Sequence, residues 1–425
     1  MKHLVRKQVI EVSLDAGQDA FSIQQQIRDY YDHQIMPVLE KVFDELSTDG
    51  EIIEMDKLEI DLGDLGWKNN RFILDTDSIH RIVKQSFLNA FSSRHRAHPD
   101  TIVLHRTPEE NACRQWLYYM EWGILPWAIQ STDTKWFDQV LHQLAIDFGL
   151  IQQTKKLITE NYWFLARLVH EHSEFFLQQL IEVMTARKHP NLISQVNELL
   201  KPSGAEAGEP ALRKKQIWEQ ILQHYAASAT DQDPFEFILT ETKIIPTAPV
   251  PPAKELTLDG IFCRYAGLVL LHPFFKHLFN HLHLLEEGIF PNEHCRDKAV
   301  LLLYFIATGK TEPKDYELVV PKTLCGMPLQ EVIGEESLML TEAEQAEALN
   351  MIHAAIEQWD AIRNTSADGL REGFLIREGK LLIRDQGPEF RIESHAIDVL
   401  LDRLPWNLQL ISFPWLKKLI RVEWR

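Results

Sequence analysis

The 425-residue chain is predicted to be α+β and predominantly α-helical, with an N-terminal β-α-β module, a central helical region, and a C-terminal helical domain carrying a small antiparallel sheet. Two patterns predict this class. Apolar residues recur every three to four positions through most of the length, as on a helix face, and alternate strictly only in short runs near the two ends, as on a half-buried strand. A Pro-rich stretch separates the helical middle from the last third.

In chain order, residues 3–14 interleave Val5, Val9, Ile10, Val12 and Leu14 with polar groups, which predicts a strand. Helical spacing takes over across 19–46, where Phe21, Ile23, Ile27, Tyr30, Ile35, Leu39, Val42 and Leu46 mark one stripe. Pro37 falls inside that stripe and is expected to kink or split the helix, because it lacks the N–H and crowds the preceding turn. Leu58, Ile60 and Leu62 then alternate with Lys57, Glu59 and Asp61 as a second strand, closing a β-α-β module at 1–66.

A helical domain is expected over 67–227. Thr107-Pro108-Glu109-Glu110 is a helix start, with a Thr cap, Pro at the first helical position and Glu three residues after the cap; the helix should stop at Gly123. Further amphipathic stretches lie around 135–148, 161–186, 190–200 and 211–226, joined closely enough to pack antiparallel. Residues 228–254, with PTAPVPPAK, are expected to be a linker. The C-terminal α+β domain, 255–425, is expected to hold helices near 257–271, 274–285, 293–308 and 341–359. A three-strand meander at 374–378, 380–385 and 389–393 and a helical turn or two at 397–404 should follow.

Composition bounds the function. With 45% hydrophobic and 25% charged residues the chain can bury two or three cores. A formal charge of −18 counts against a general nucleic-acid or anionic-membrane binder. Cys113, Cys263, Cys295 and Cys325 are too scattered for a zinc ribbon or a disulfide framework, and no run of about 18 apolar residues occurs, so a soluble cytoplasmic protein is expected. Residues 402–425 break the acidic trend: five Lys/Arg against two Asp/Glu give +3 there and leave −21 elsewhere. Trp406, Trp415 and Trp424 recur through this end every nine residues. An apolar, basic terminus must fold back or dock, with burial the first expectation; Trp406, Trp415, Lys417, Lys418, Arg421 and Trp424 are therefore the candidate protein-contact residues.

Catalytic chemistry finds little footing. His272, His277, His281, His283 and His294 cluster, and His277 and His281 share a helix face at a spacing that can chelate a transition metal, the basis of an alternative reading as a metal-dependent hydrolase. HExxH is absent, however, and the surrounding leucines commit that helix to packing. Asp56, Glu59, Asp61 and Asp64 read as a wet strand face, since parity sends Asp56 and Glu59 to opposite sides. GxSxG, GxxxxGK[ST] and GxGxxG are all missing, and the polar loop from Asn364 to Arg371 has the residues any turn requires. No enzyme activity, metal or cofactor is predicted. One internal echo stands out: LYYMEWG ending at Gly123 and LYFIATG ending at Gly309 are both aromatic helix ends closed by glycine.

Several phrases taken together resemble the bacterial contractile injection system tape measure protein family, from phage-tail-like particles with a sheath, inner tube and baseplate. They are HLVRKQVIEV at 3–12, MPVLEKVFDEL at 36–46, DKLEIDLG at 56–63, YYMEWGILPW at 118–127, AGLVLLHPF at 266–274 and LLYFIATG at 302–309. YELVVPKTLCGMPL at 316–329, NTSADGLREGFLIREGKL at 364–381 and LPWNLQLISFPWLKKLIRVEW at 404–424 complete the set. The resemblance implies a non-enzymatic structural or assembly role connected with inner-tube length. It also implies partners among inner-tube, baseplate or other injection-system proteins, self-association, and a place in the cytoplasm during assembly or within the particle. A ruler should be a long continuous helix. Twenty prolines and terminal strands instead favour a folded body about 45 Å across, suited to an assembly chaperone or adaptor that need not remain in the mature particle.

Overall fold

The computed structural model describes residues 3–5, 8–13, 20–47, 50–63, 66–68, 71–73, 76–92, 103–127, 129, 132–200, 210–227, 260–334 and 339–424. The chain is mostly helical α+β and divides into two compact units, Met1–Cys113 with Lys135–Val140, and Arg114–Thr134 with Leu141–Arg425. The stretch expected as a linker, 228–254, lies outside the described residues.

In the first unit, helix α1 (Ala20–Tyr30) runs through a π-helical turn, Tyr31–Ile35, into α2 (Met36–Leu46). Pro37 sits in the first turn of α2, where its missing N–H costs nothing, and the widened turn before it absorbs the clash that would have broken the helix. Strand β1 (Ile52–Met55) follows, then a small hairpin of β2 (Gly66–Lys68) and β3 (Arg71–Ile73), helix α3 (Thr76–Ser92) and β4 (Val103–Arg106). Val38, Leu39, Val42, Ile79 and Val83 form the core between α2 and α3, and Ile60 and Leu62 pack onto it.

Here the expected β-α-β pairing changes partners. β1 pairs antiparallel with β4, Ile52 opposite Arg106 through Met55 opposite Val103. The described residues of 3–14 form no strand, and Leu4, Val5, Val9, Ile10 and Val12 are exposed. A strand exists only through a ladder, and this segment instead lies along α2, with His3 on Asp44 and Gln8 on Met36. Alternation over 57–62 is real but serves packing of Leu62 and Ile60, while the ladder falls at 52–55.

Helix α4 (Pro108–Trp122) starts with the expected capping box: Thr107 Oγ1 accepts from the Glu110 N–H and Glu110 returns the bond to the Thr107 N–H, both at 3.1 Å. α5 (Thr134–Ile146) comes next. The second unit then stacks α6 (Phe148–Glu160), α7 (Tyr162–Glu171), α8 (Glu174–Thr185), α9 (Leu192–Leu199) and α10 (Pro210–Ala227). The stretch expected at 161–186 is two helices, because the Ser173 hydroxyl accepts from the Phe176 N–H and starts a new one; Asp147 and Asn161 cap α6 and α7 in the same way. α10 packs against α6, α7, α8 and α9, burying Ile217, Trp218, Ile221 and Leu222.

The rest of this unit surrounds α12 (Glu293–Thr308), in which every residue from Asp297 to Ala307 is buried, so its apolar surface runs all round. Around it lie strand β5 (Ile261–Cys263), a 3₁₀ segment Ala266–Leu271, α11 (His272–His281), α13 (Val319–Cys325), α14 (Glu342–Gln358) and α15 (Ala367–Leu370). Then come β6 (Gly379–Arg384), β7 (Gly387–Ile392), β8 (Leu410–Ile411) and β9 (Ile420–Glu423), giving a five-stranded sheet of order β5-β6-β7-β9-β8. The first strand expected for the meander, 374–378, does not form: the π-helical turn Arg371–Leu375 covers its start, and the ladder begins at Gly379. The sheet is also not purely antiparallel. A 3₁₀ crossover, Ala396–Arg403, and β8 bring β9 back parallel to β7, with Phe390 level with Val422.

Because β9 is an interior strand, removing 420–425 should strip β7 of one of its two partners and leave β8 with none. The truncated chain is expected to lose the cooperative melting of the second unit, measured by circular dichroism; an unchanged melting temperature would contradict this placement.

Candidate functional site

In the C-terminal block, rings and charges separate. Trp406 Nε1 donates to the Leu270 carbonyl at 2.9 Å and its ring meets Phe274 edge-on. Trp415 Nε1 donates to the Leu324 carbonyl at 2.9 Å while its ring stacks on Phe413 at 4.5 Å. Trp424 is buried, and its Nε1 donates to Asp398 Oδ2 at 3.1 Å. The same carboxylate accepts from buried Arg377 at 2.9 Å and from the His395 N–H at 2.8 Å. All three indoles therefore clamp the end of the chain onto the core. Lys417, Lys418 and Arg421 are exposed; Lys418 donates to the Asp385 carbonyl and Arg421 to the Gln386 side-chain oxygen, at the β6–β7 turn.

Strand parity places further charges beside them. The outward side of the sheet carries one row of Lys380, Arg391 and Glu423 and another of Leu382, Glu389, Arg421 and Leu410. Arg391 pairs with Glu389 and Glu423, each at 2.8 Å, and Lys380 lies over the Phe262 ring.

A buried polar cluster lies elsewhere, and local sequence gave little warning of it. Arg167, on α7 and fully buried, donates from Nε to Asp315 Oδ2 at 2.8 Å, from Nη1 to the Met120 carbonyl and from Nη2 to the Gln330 carbonyl, both at 2.5 Å. Lys322, on α13 and equally buried, donates to Asp315 Oδ1 at 2.6 Å and to the Leu329 carbonyl at 3.1 Å. One carboxylate thus serves two cations. Burial pushes the Asp315 carboxyl up, but Lys322 and Arg167 outweigh it and hold it below the usual carboxylate range. Glu171 accepts from the Asp315 N–H at 2.9 Å; its own pKa is raised, chiefly by burial. Gly123 completes the cluster: φ is +70°, and a Cβ there would lie 2.7 Å from both Arg167 Nη2 and Asp315 Oδ2.

Its echo, Gly309, has φ +73° and sits against Arg371, which donates to the carbonyls of Ile306 and Phe305. Both aromatic helix ends are therefore closed by a left-handed glycine and a buried arginine on the last carbonyls, where a helix end favours positive charge. The polar loop around Ser366 is part of this device: Ser366 caps α15, and Asp368 pairs with Arg371 at 2.7 Å. Arg167 and Lys322 each interrupt an apolar run, the one local sign of a buried charge; Arg371, beside Glu372, has none.

Residues of the histidine cluster go separate ways. His272 Nδ1 lies 3.1 Å from the Val269 carbonyl, and His281 faces Glu347 at 3.5 Å. Among the described residues no group of three or more His, Cys, Asp or Glu is gathered as a metal site. Two other histidines on or beside α7 are strongly perturbed. His172 accepts from Trp116 Nε1 at 3.0 Å and donates from Nδ1 to the Leu168 carbonyl, and burial pushes its pKa down to about 3. His170, whose Nδ1 accepts from Lys215, is likewise lowered to about 3, first by burial and then by that lysine.

The family model described as contractile injection system tape measure protein matches residues 2–249 and 240–424. No curated protein and no solved structure matches the chain. No described helix is long and apolar enough to cross a membrane.

Replacing Asp315 by Asn should leave two buried cations short of their counter-charge and cost about 3–5 kcal/mol in urea unfolding; a loss within about 0.5 kcal/mol would contradict the cluster's role. His170 and His172 are neutral in the fold and take up protons on unfolding below 6.5, their ordinary value. Their contribution is complete above 6.5 and is lost as the pH falls towards about 3, at about 1.4 kcal/mol per pH unit for each group. Urea titrations between pH 7 and 5 should show that slope, and His172→Gln should flatten it; a pH-independent midpoint would contradict the assignment.

Proposed function

The chain belongs to the contractile injection system tape measure protein family, and from that membership we propose that it acts as a folded, non-catalytic assembly component or adaptor of the injection apparatus. One observation carries the reading. The longest uninterrupted α-helix among the described residues, α10, has 18 residues, about 27 Å at 1.5 Å per residue, and is packed against four neighbours; the run of α1 and α2, 11 residues each, is interrupted by a π-turn. A ruler drawn out along a tube lumen would have to unpack these helices and separate Arg167 and Lys322 from the Asp315 counter-charge they share in the fold.

The surfaces left for inner-tube or baseplate proteins are then the outward residues, with Lys417, Lys418 and Arg421 among them, while Trp406, Trp415 and Trp424 hold the block in place. Assembly in the cytoplasm follows from such a role. A chaperone that leaves before maturation is the variant of this reading that purified particles lacking the chain would favour.

In-frame insertions within residues 130–220 test ruler against adaptor. Tube lengths in electron micrographs are expected to stay unchanged, with deletion of the whole chain abolishing assembly. Tubes that lengthen in proportion to the insertion would contradict the proposal.

A further inference from the structure

The sheet's outward face and the adjoining turn carry Lys380, Arg384, Arg391, Lys417, Lys418 and Arg421 against Asp385, Glu389 and Glu423, an excess of three positive charges on a chain of −18. Glu389 and Glu423 are engaged by Arg391 and Arg384. Among the described residues no carboxylate forms an ion pair with Lys417, Lys418 or Arg421; Lys418 and Arg421 spend hydrogen bonds on neutral oxygens. Leu410 and Leu419 are about half exposed beside them.

The complementary surface occurs in the same chain. Glu51, Glu54, Asp56, Glu59 and Asp61 are all exposed, with Lys57 the one cation between them. Ile60 and Leu62 are held against the first unit's core, which keeps the alternate residues, Glu59 and Asp61, turned outward. Glu51 and Glu54 engage His105 and Arg106, Glu59 pairs with Lys57, and Asp61 accepts from the Gly63 N–H; among the described residues Asp56 and Asp61 form no ion pair.

We propose that the cationic sheet face of one copy receives the acidic 51–61 segment of a second copy, making a head-to-tail contact. Such a contact uses two different patches, so it propagates or closes into a ring instead of stopping at a symmetric dimer. Charge supplies register and encounter rate, and the attraction weakens as salt screens it. Self-association of this kind depends on charge and exposure in this chain alone, and stands or falls separately from the assembly role.

Sedimentation velocity of the full chain should show oligomers at low ionic strength whose apparent Kd rises at least tenfold in 0.5 M salt. One variant carries K417Q, K418Q and R421Q; the other carries D56N, E59Q and D61N. Each should be monomeric alone and keep the wild-type melting temperature. Mixed one to one, they should form heterodimers and nothing larger, because each retains one intact half of the contact. Should a triple variant fail to fold, K418Q and D56N singly should each weaken association and restore it when mixed. A wild-type chain that is monomeric at every salt concentration, variants that associate as the wild type does, or a mixture that stays monomeric would overturn the contact. So would a monomeric chain retained on an immobilised acidic peptide, which would assign the sheet face to another carboxylate-rich partner.

Discussion

The carboxylate of Asp315 is the point on which the second unit turns. Arg167 and Lys322 reach it from helices 155 positions apart in the sequence, and their remaining N–H groups take the carbonyls of Met120, Leu329 and Gln330. One buried ion therefore ties the end of α4, the middle of α7, the start of the 315–318 turn, α13 and the 329–330 loop. Buried ion pairs add little to net stability compared with apolar packing of the same volume. Their effect is specificity: any arrangement that separates these elements strands a charge without solvent.

The C-terminal block depends on a second pair of the same kind. Arg377 and Asp398 are both buried, and Trp424 joins them through its indole N–H. With β9 between β7 and β8, the end of the chain is an interior part of the sheet. Aromatic residues inward and cations outward then explain how one short segment both completes a core and presents charge.

Much of this was legible in the sequence, and the failures have physical causes. Local chemistry read well: Thr107 and Glu110 form the expected capping box, Pro37 disturbs the helix ahead of it, and Gly123 and Gly309 take the left-handed cap. Pairing read poorly, because a ladder needs a partner that alternation does not name. Val5, Val9 and Ile10 have the right pattern and no ladder, while Val103–Arg106, without a clear pattern, pairs with β1. The parallel β7–β9 pair was hidden by the long crossover between them. Least legible was the Asp315 cluster, whose members are far apart and each look like a surface charge; only the placing of Arg167 and Lys322 inside apolar runs hinted otherwise. The histidines attracted attention by proximity in sequence, whereas His170 and His172, the perturbed ones, stood outside that group.

The central claim is that this family member works with its fold intact. Hydrogen exchange read by mass spectrometry, on the purified chain and on the chain bound to its assembly intermediates, tests it most directly. Amides of α7 and α13, at either end of the Asp315 cluster, should be equally protected in both states. Protection that disappears from both helices in the bound state would show that the chain is drawn out in use, and would contradict the account.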